Sequence, residues 1–153
     1  MNADDSAQPP SLQGFPVILR LPIQWGDLDA YGHVNNVVYL KWFEAARAVY
    51  ASRVGVEILS RERGVGATIA SLTWNYHRQR SYPGDILCGV RVTRITIGSV
   101  RLQCHVADAQ TGVPLGDGTC DAVLYDYASN EPVPVPEGIR AAIEELEGRS
   151  FPV

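Results

Sequence analysis

One stretch of this chain has the period of a helix, while almost every other patterned stretch has the period of a strand, and that imbalance limits the fold most. Tyr39, Trp42, Phe43, Ala46, Val49 and Tyr50 recur at steps of three and four residues, with Lys41, Glu44 and Ala48 on another face. A stripe so rich in aromatic rings belongs through or against a core. Elsewhere the apolar residues alternate. Val17, Leu19, Leu21, Ile23 and Trp25 do so before the helix; Thr68, Ala70, Leu72, Trp74 and Tyr76, then Ile86, Cys88, Val90 and Val92, then Val100, Leu102, Cys104 and Val106 do so after it. Residues 119–127 read as a further strand. One strand, one long helix and about four strands in meander predict an α+β fold, with the helix covering one face of a twisted antiparallel sheet.

Punctuation divides the rest. Residues 1–14 lack periodicity and contain Pro9, Pro10 and Gly14, which predicts a disordered tail without function. Pro22 cannot donate to a ladder and suggests an edge strand or a bulge. Residues 56–65 have room for one short helical turn. Pro83-Gly84 marks a turn between two strand-like runs. Ile139, Ile143 and Leu146 predict a short closing helix ended by Gly148, so 129–153 reads as a C-terminal extension to a domain over 15–128.

Composition excludes several classes of function. No run approaches the ~18 apolar residues of a membrane span, and the start is acidic and polar where a signal peptide is basic and then apolar, so a soluble, cytoplasmic protein without a membrane partner is expected. Cys88, Cys104 and Cys120 form no C-x-x-C pair and fall inside strand-like runs, as reduced core thiols do. With His77 and His105 they give no metal-ligand spacing, so no metal is expected. A net charge of −4 and the lack of a helix-turn-helix or basic arm argue against nucleic acid. No Gly-x-Ser-x-Gly elbow or phosphate-cradling loop is present. Charge is nonetheless uneven: residues 75–107 hold Arg78, Arg80, Arg91, Arg94 and Arg101 against the single acid Asp85.

The chemistry collects from Trp25 to Arg47. Two aspartates, a histidine and two asparagines precede the helix, where unpaired amides and the macrodipole favour negative charge. Asn35 suits the N-cap. Asp27 reads as a holder of loop amides, with a working acid as its alternative, and Glu44 reads as the ion-pair partner of Arg47 three residues on.

The string Trp25-Gly-Asp-Leu-Asp-Ala-Tyr-Gly-His-Val-Asn-Asn, followed by Tyr39, Phe43, Glu44 and Arg47, resembles the 4-hydroxybenzoyl-CoA thioesterase-like branch of the hotdog-fold acyl-CoA thioesterases. The resemblance implies a hotdog fold, an antiparallel sheet of about five strands wrapped around one long central helix. It also implies subunits joined sheet edge to sheet edge as a homodimer or homotetramer, with the active site between them. The implied reaction is hydrolysis of an acyl thioester to a carboxylic acid and free CoA; coenzyme A is then part of the substrate, and no cofactor is needed. The family's catalytic carboxylate falls on Asp29, as nucleophile or as general base. Amides around Asn36 to Val38 would meet the oxyanion, and His33, Asn35 and Asn36 would support the site. Tyr39 and, from the arginine-rich region, Arg78 and Arg80 are the expected substrate contacts. Glu44 stays a candidate because other hotdog branches use a helix carboxylate. The competing reading is a non-catalytic acyl-CoA-binding sensor or regulator, for which a carboxylate beside the thioester has no purpose.

Overall fold

The computed structural model describes residues 8–152. A long helix α1 (Asn36–Arg53) follows strand β1 (Val17–Pro22), and helix α2 (Val56–Arg63) follows α1. Strands β2 (Val65–Tyr76), β3 (Asp85–Ile95), β4 (Ser99–Asp108) and β5 (Pro114–Asp126) come next, then a two-residue β6 (Glu131–Pro132) and helix α3 (Glu137–Glu147). All strands lie in one antiparallel sheet of order β1-β3-β4-β5-β2, with β6 beside β5. The sheet curls around α1. This is the expected hotdog arrangement, and α2 extends the single turn foreseen for residues 56–65 into a helix bracketed by Gly55 and Gly64, both at positive φ.

Period explains the layers. Along β3, β4 and β5 the inward residues Cys88, Val90, Val92, Leu102, Cys104, Val106, Cys120 and Ala122 are buried against Phe43, Ala46 and Tyr50 of α1. Gly118 on β5 is needed for close approach. A Cβ there would lie 2.2 Å from the Thr73 carbonyl oxygen and 2.5 Å from the Trp74 ring. Asn35 caps α1 as expected, its side chain accepting from Val37 N at 3.3 Å. Helix α3 closes the opposite end with Ile139 and Ile143, and Glu147 accepts from Tyr50 Oη and from Val92 N, each at 2.6 Å. No helix among the described residues is long and apolar enough to cross a membrane.

Three expectations need correction. First, the strands after α1 are not one meander: β2 pairs with β5, at the far side of the sheet from β1, so 77–84 is a crossover instead of a hairpin turn. Adjacent period-2 runs carry no information on which pair, and Pro83-Gly84 is compatible with either. Second, a register shift between Ile69 and Ser71 leaves Ala70 unpaired and reverses the phase of β2. Ala67 and Ile69, not Thr68 and Ala70, therefore share the inward side with Leu72 and Trp74. Third, the described part of the expected tail is folded. A 3-10 turn, Pro10–Leu12, puts Leu12, fully buried, with Phe15 and Ala107 on the outer face of the sheet, over Gly89, where a Cβ would lie 2.7 Å from Leu12. Residues 1–7 lie outside the described residues.

Candidate active site

Asp29 sits in a loop whose shape is set by its own carboxylate. Oδ1 accepts from Tyr31 N at 2.9 Å and from His33 N at 3.3 Å, an Asx turn. Asp29 N in turn donates to the His33 carbonyl at 2.8 Å, and Gly32, at φ 76, lets the chain reverse between them. Oδ2 accepts no hydrogen bond among the described residues. Asp27 does hold loop amides: its Oδ2 accepts from Gln24 N and its carbonyl from Asn35 N, each at 2.8 Å.

The crossover between β2 and β3 braces this loop from outside. Val34 N donates to the Arg80 carbonyl at 2.7 Å, and Ser81 Oγ to the Gly32 carbonyl at 2.9 Å. Arg80 itself is committed to structure. Its Nε donates to Asp108 Oδ2 at 2.7 Å, and its other nitrogens reach the carbonyls of Ser81 and Pro83. The pair is mostly out of water, with 21% and 10% of the two side chains exposed. Burial works to raise the Asp108 carboxyl, but the amides of Thr111 and Gln110 together with the Arg80 guanidinium outweigh it and hold the group below the ordinary carboxylate value. The expectation of Arg80 as a free anion contact is therefore corrected: it fastens the crossover.

A cleft of about 730 Å³ opens where the loop, the start of α1 and the end of β2 meet. Asp29, His33, Asn36, Tyr39 and Arg78 all line it, so five of the seven expected site residues come together. Asn35 and Arg80 stand behind it as cap and brace. The His33 ring makes no hydrogen bond among the described residues, although its backbone closes the Asp29 turn. Tyr39 is buried and packs edge-on against Trp42 and Tyr76, at 5.0 and 5.4 Å between ring centroids. Burial, then the neighbouring Tyr76 phenol, pushes its hydroxyl above the ordinary range, so it stays protonated at neutral pH.

Two features escaped sequence reasoning. Tyr76 donates to the Asn36 carbonyl at 2.8 Å and so pins the first turn of α1 from the facing strand. Its place on the inward side of β2 beside Trp74 was the available signal. The helix-start amides also divide unequally. Val37 N and Val38 N are both taken by Asn35, through its side chain and its carbonyl, while Asn36 N has no partner among the described residues. The donor group expected over Asn36 to Val38 thus narrows to Asn36 N, beside the cleft. No cluster of three or more His, Cys, Asp or Glu suited to a metal occurs among the described residues.

Known proteins share this fold. The chain shares 32% identity with a thioesterase from Thermus thermophilus crystallised with coenzyme A and zinc, over 91% of this chain and 99% of that one, at a TM-score of 0.80. A thioesterase superfamily member from Jannaschia sp. CCS1 is 21% identical over 88% of this chain and 85% of that one, at a TM-score of 0.78. A 1,4-dihydroxy-2-naphthoyl-CoA thioesterase from Synechocystis is 13% identical over 86% and 97%, at 0.76. These last two likenesses concern the fold alone. No curated protein matches the sequence significantly. A model of the thioesterase-like superfamily matches residues 23–143, a span that takes in the Asp29 loop, α1, the crossover and every long strand after it. With its curled sheet, central helix and acidic loop at the helix start, this chain belongs to the thioesterase-like superfamily.

Proposed function

We propose that the chain is an acyl-CoA thioesterase in which Asp29 acts on the thioester carbonyl. The observation that carries this reading is the carboxylate itself: one oxygen is held by two backbone amides while the other stands free at a cleft beside an unpartnered helix-start amide. A carboxylate so fixed needs no reorganisation to meet a carbonyl carbon. In the nucleophilic route, Oδ2 bonds to that carbon, the carbon–sulfur bond breaks, and CoA thiolate leaves and takes up a proton. Water then cleaves the acyl–aspartyl anhydride, giving the carboxylic acid and restoring Asp29. In the general-base route Asp29 removes a proton from the attacking water and no anhydride forms. Both pass through an oxyanion, and Asn36 N is the donor suited to it; losing one such donor raises a barrier by about 3 kcal/mol.

Support for coenzyme A as the carrier comes from the Thermus relative, which was crystallised with it, and from Arg78 on the cleft wall, a cation without a carboxylate partner among the described residues. Tyr39 and Tyr76 supply apolar surface for the acyl group. The long edge of β2, mostly exposed, suits pairing with a second copy of the chain, which would cover the cleft from outside and make a homodimer the smallest complete unit. The test is release of free thiol from aryl, short-chain and long-chain acyl-CoAs, with Asp29→Asn as control. Turnover that is lost in the variant supports the reading; tight binding of every thioester without hydrolysis would favour a sensor instead.

A further inference from the structure

A second cavity lies behind the C-terminal half of α1, away from Asp29. Its volume is about 260 Å³, enough for roughly eight or nine groups the size of a water or a methylene at ~30 Å³ each. Small side chains create it: Ala48 and Ala51 on the helix face Ala67 and Ala122 on the sheet, with Leu102 beneath. The walls are mostly apolar, and one cation stands among them. Arg47 lies with its guanidinium 4.6 Å over the Phe43 ring, and its Nη1 is out of water with no hydrogen-bond partner among the described residues.

No described carboxylate answers that charge. Glu44, expected as its ion-pair partner, is exposed at the cavity rim, and no carboxylate comes within 4.0 Å of Arg47 among the described residues. The polar groups facing it are the thiols of Cys104 and Cys120, which burial pushes up and keeps protonated, although Arg47 works against that rise. A buried guanidinium nitrogen without an acceptor is costly to keep, even where the rest of the side chain reaches water. A ligand that brings a carboxylate to Nη1 and an aliphatic body to the alanine-lined wall removes the cost and fills the space at once.

We propose that this cavity is a binding site for a medium-length aliphatic chain ending in a carboxylate, with Arg47 as the anion contact. Two sources have that chemistry: a free carboxylic acid, and the far end of an acyl thioester whose acyl group carries a second carboxylate. Only the second source depends on the thioesterase reading.

The test is isothermal titration of the full chain with octanoate and with octan-1-ol, which share the aliphatic body and differ in charge. Octanoate should bind at least tenfold more tightly than octanol. Arg47→Met should abolish that difference and Arg47→Lys should restore part of it; Ala67→Leu, which fills the cavity and leaves the charge, should weaken both ligands. Equal affinity for octanoate and octanol in the unaltered protein would overturn the proposal without recourse to any variant, as would unchanged octanoate binding in a folded Arg47→Met protein. Hydrolysis of suberoyl-CoA against octanoyl-CoA separates the sources. A lower KM for the suberoyl ester that Arg47→Met removes assigns the site to the acyl end; equal KM values with octanoate still bound assign it to the free acid. If no thioester is hydrolysed, the thioesterase reading fails while the octanoate titration still decides this one.

Discussion

The two ends of α1 have opposite chemistry. At its start a carboxylate oxygen stands free at a cleft lined by Asp29, His33 and Tyr39, with the surrounding loop tied down by short-range hydrogen bonds. Further along the same helix a guanidinium stands unpaired over an apolar cavity walled by helices and strands. One helix thus serves two environments, and the difference lies in what builds each. The first is made by turns that the local sequence dictates, with a brace from the crossover. The second is made by the spacing of alanines on elements that meet only after folding.

If the helix start is the reactive end, Asp29→Asn should have the largest effect, lowering kcat about 10²–10⁴-fold with the melting temperature little changed. A fall in kcat that tracked loss of folded protein would break the contrast, because the loop would then be structural. The brace comes next. Asp108→Asn leaves the Arg80 charge mostly buried and unpaired and should cost about 3–5 kcal/mol of stability, measured by urea unfolding. The sign of its pH dependence follows from the lowered Asp108 carboxyl. The folded value lies below the ordinary 3.8, so the stabilisation is complete above 3.8 and is lost as pH falls through the folded value. The gap between wild type and variant should therefore close only in acid.

Smaller effects sharpen the comparison. Asn35→Ala should remove about 1 kcal/mol of stability through the lost cap and free the Val37 amide, which a modest change in kcat would register. Tyr76→Phe should also lose about 1 kcal/mol, from the bond to the Asn36 carbonyl, and should lower kcat several-fold with KM nearly unchanged. Neither substitution should alter octanoate binding behind α1. A loss there would mean that the two ends are coupled through the helix.

How legible all this was in the sequence depended on range. The helix, its Asn35 cap and the alternation of Ile86 to Val92 and Val100 to Val106 were readable because each is a local pattern. So was the gathering of Asp29, His33 and Asn36, which lie close together along the chain. Arg80 was misjudged because its partner Asp108 is 28 residues away, and an arginine in a basic stretch looks the same whether it faces a ligand or an aspartate. The inward side of β2 was misjudged before Ala70 because one bulged residue shifts a period-2 pattern to the other face. Leu12 was assigned to a tail because a few apolar residues around a 3-10 turn leave no periodicity, and the glycine that receives them, Gly89, is far along the chain.

The place of β2 in the sheet also bears on the order in which the molecule comes together. β3, β4 and β5 are neighbours in sequence and can zip up through short loops, but β2 must find β5 across 40 residues at Tyr76↔Gly116 and 61 at Val65↔Asp126. Loop-closure entropy opposes that contact more than it opposes the hairpins. The crossover that braces the Asp29 loop hangs from the end of β2, so the Asp29 end of α1 should be the last part to become native. Substitutions in β3 and β4 should slow refolding, whereas those in β2 and the crossover should chiefly speed unfolding.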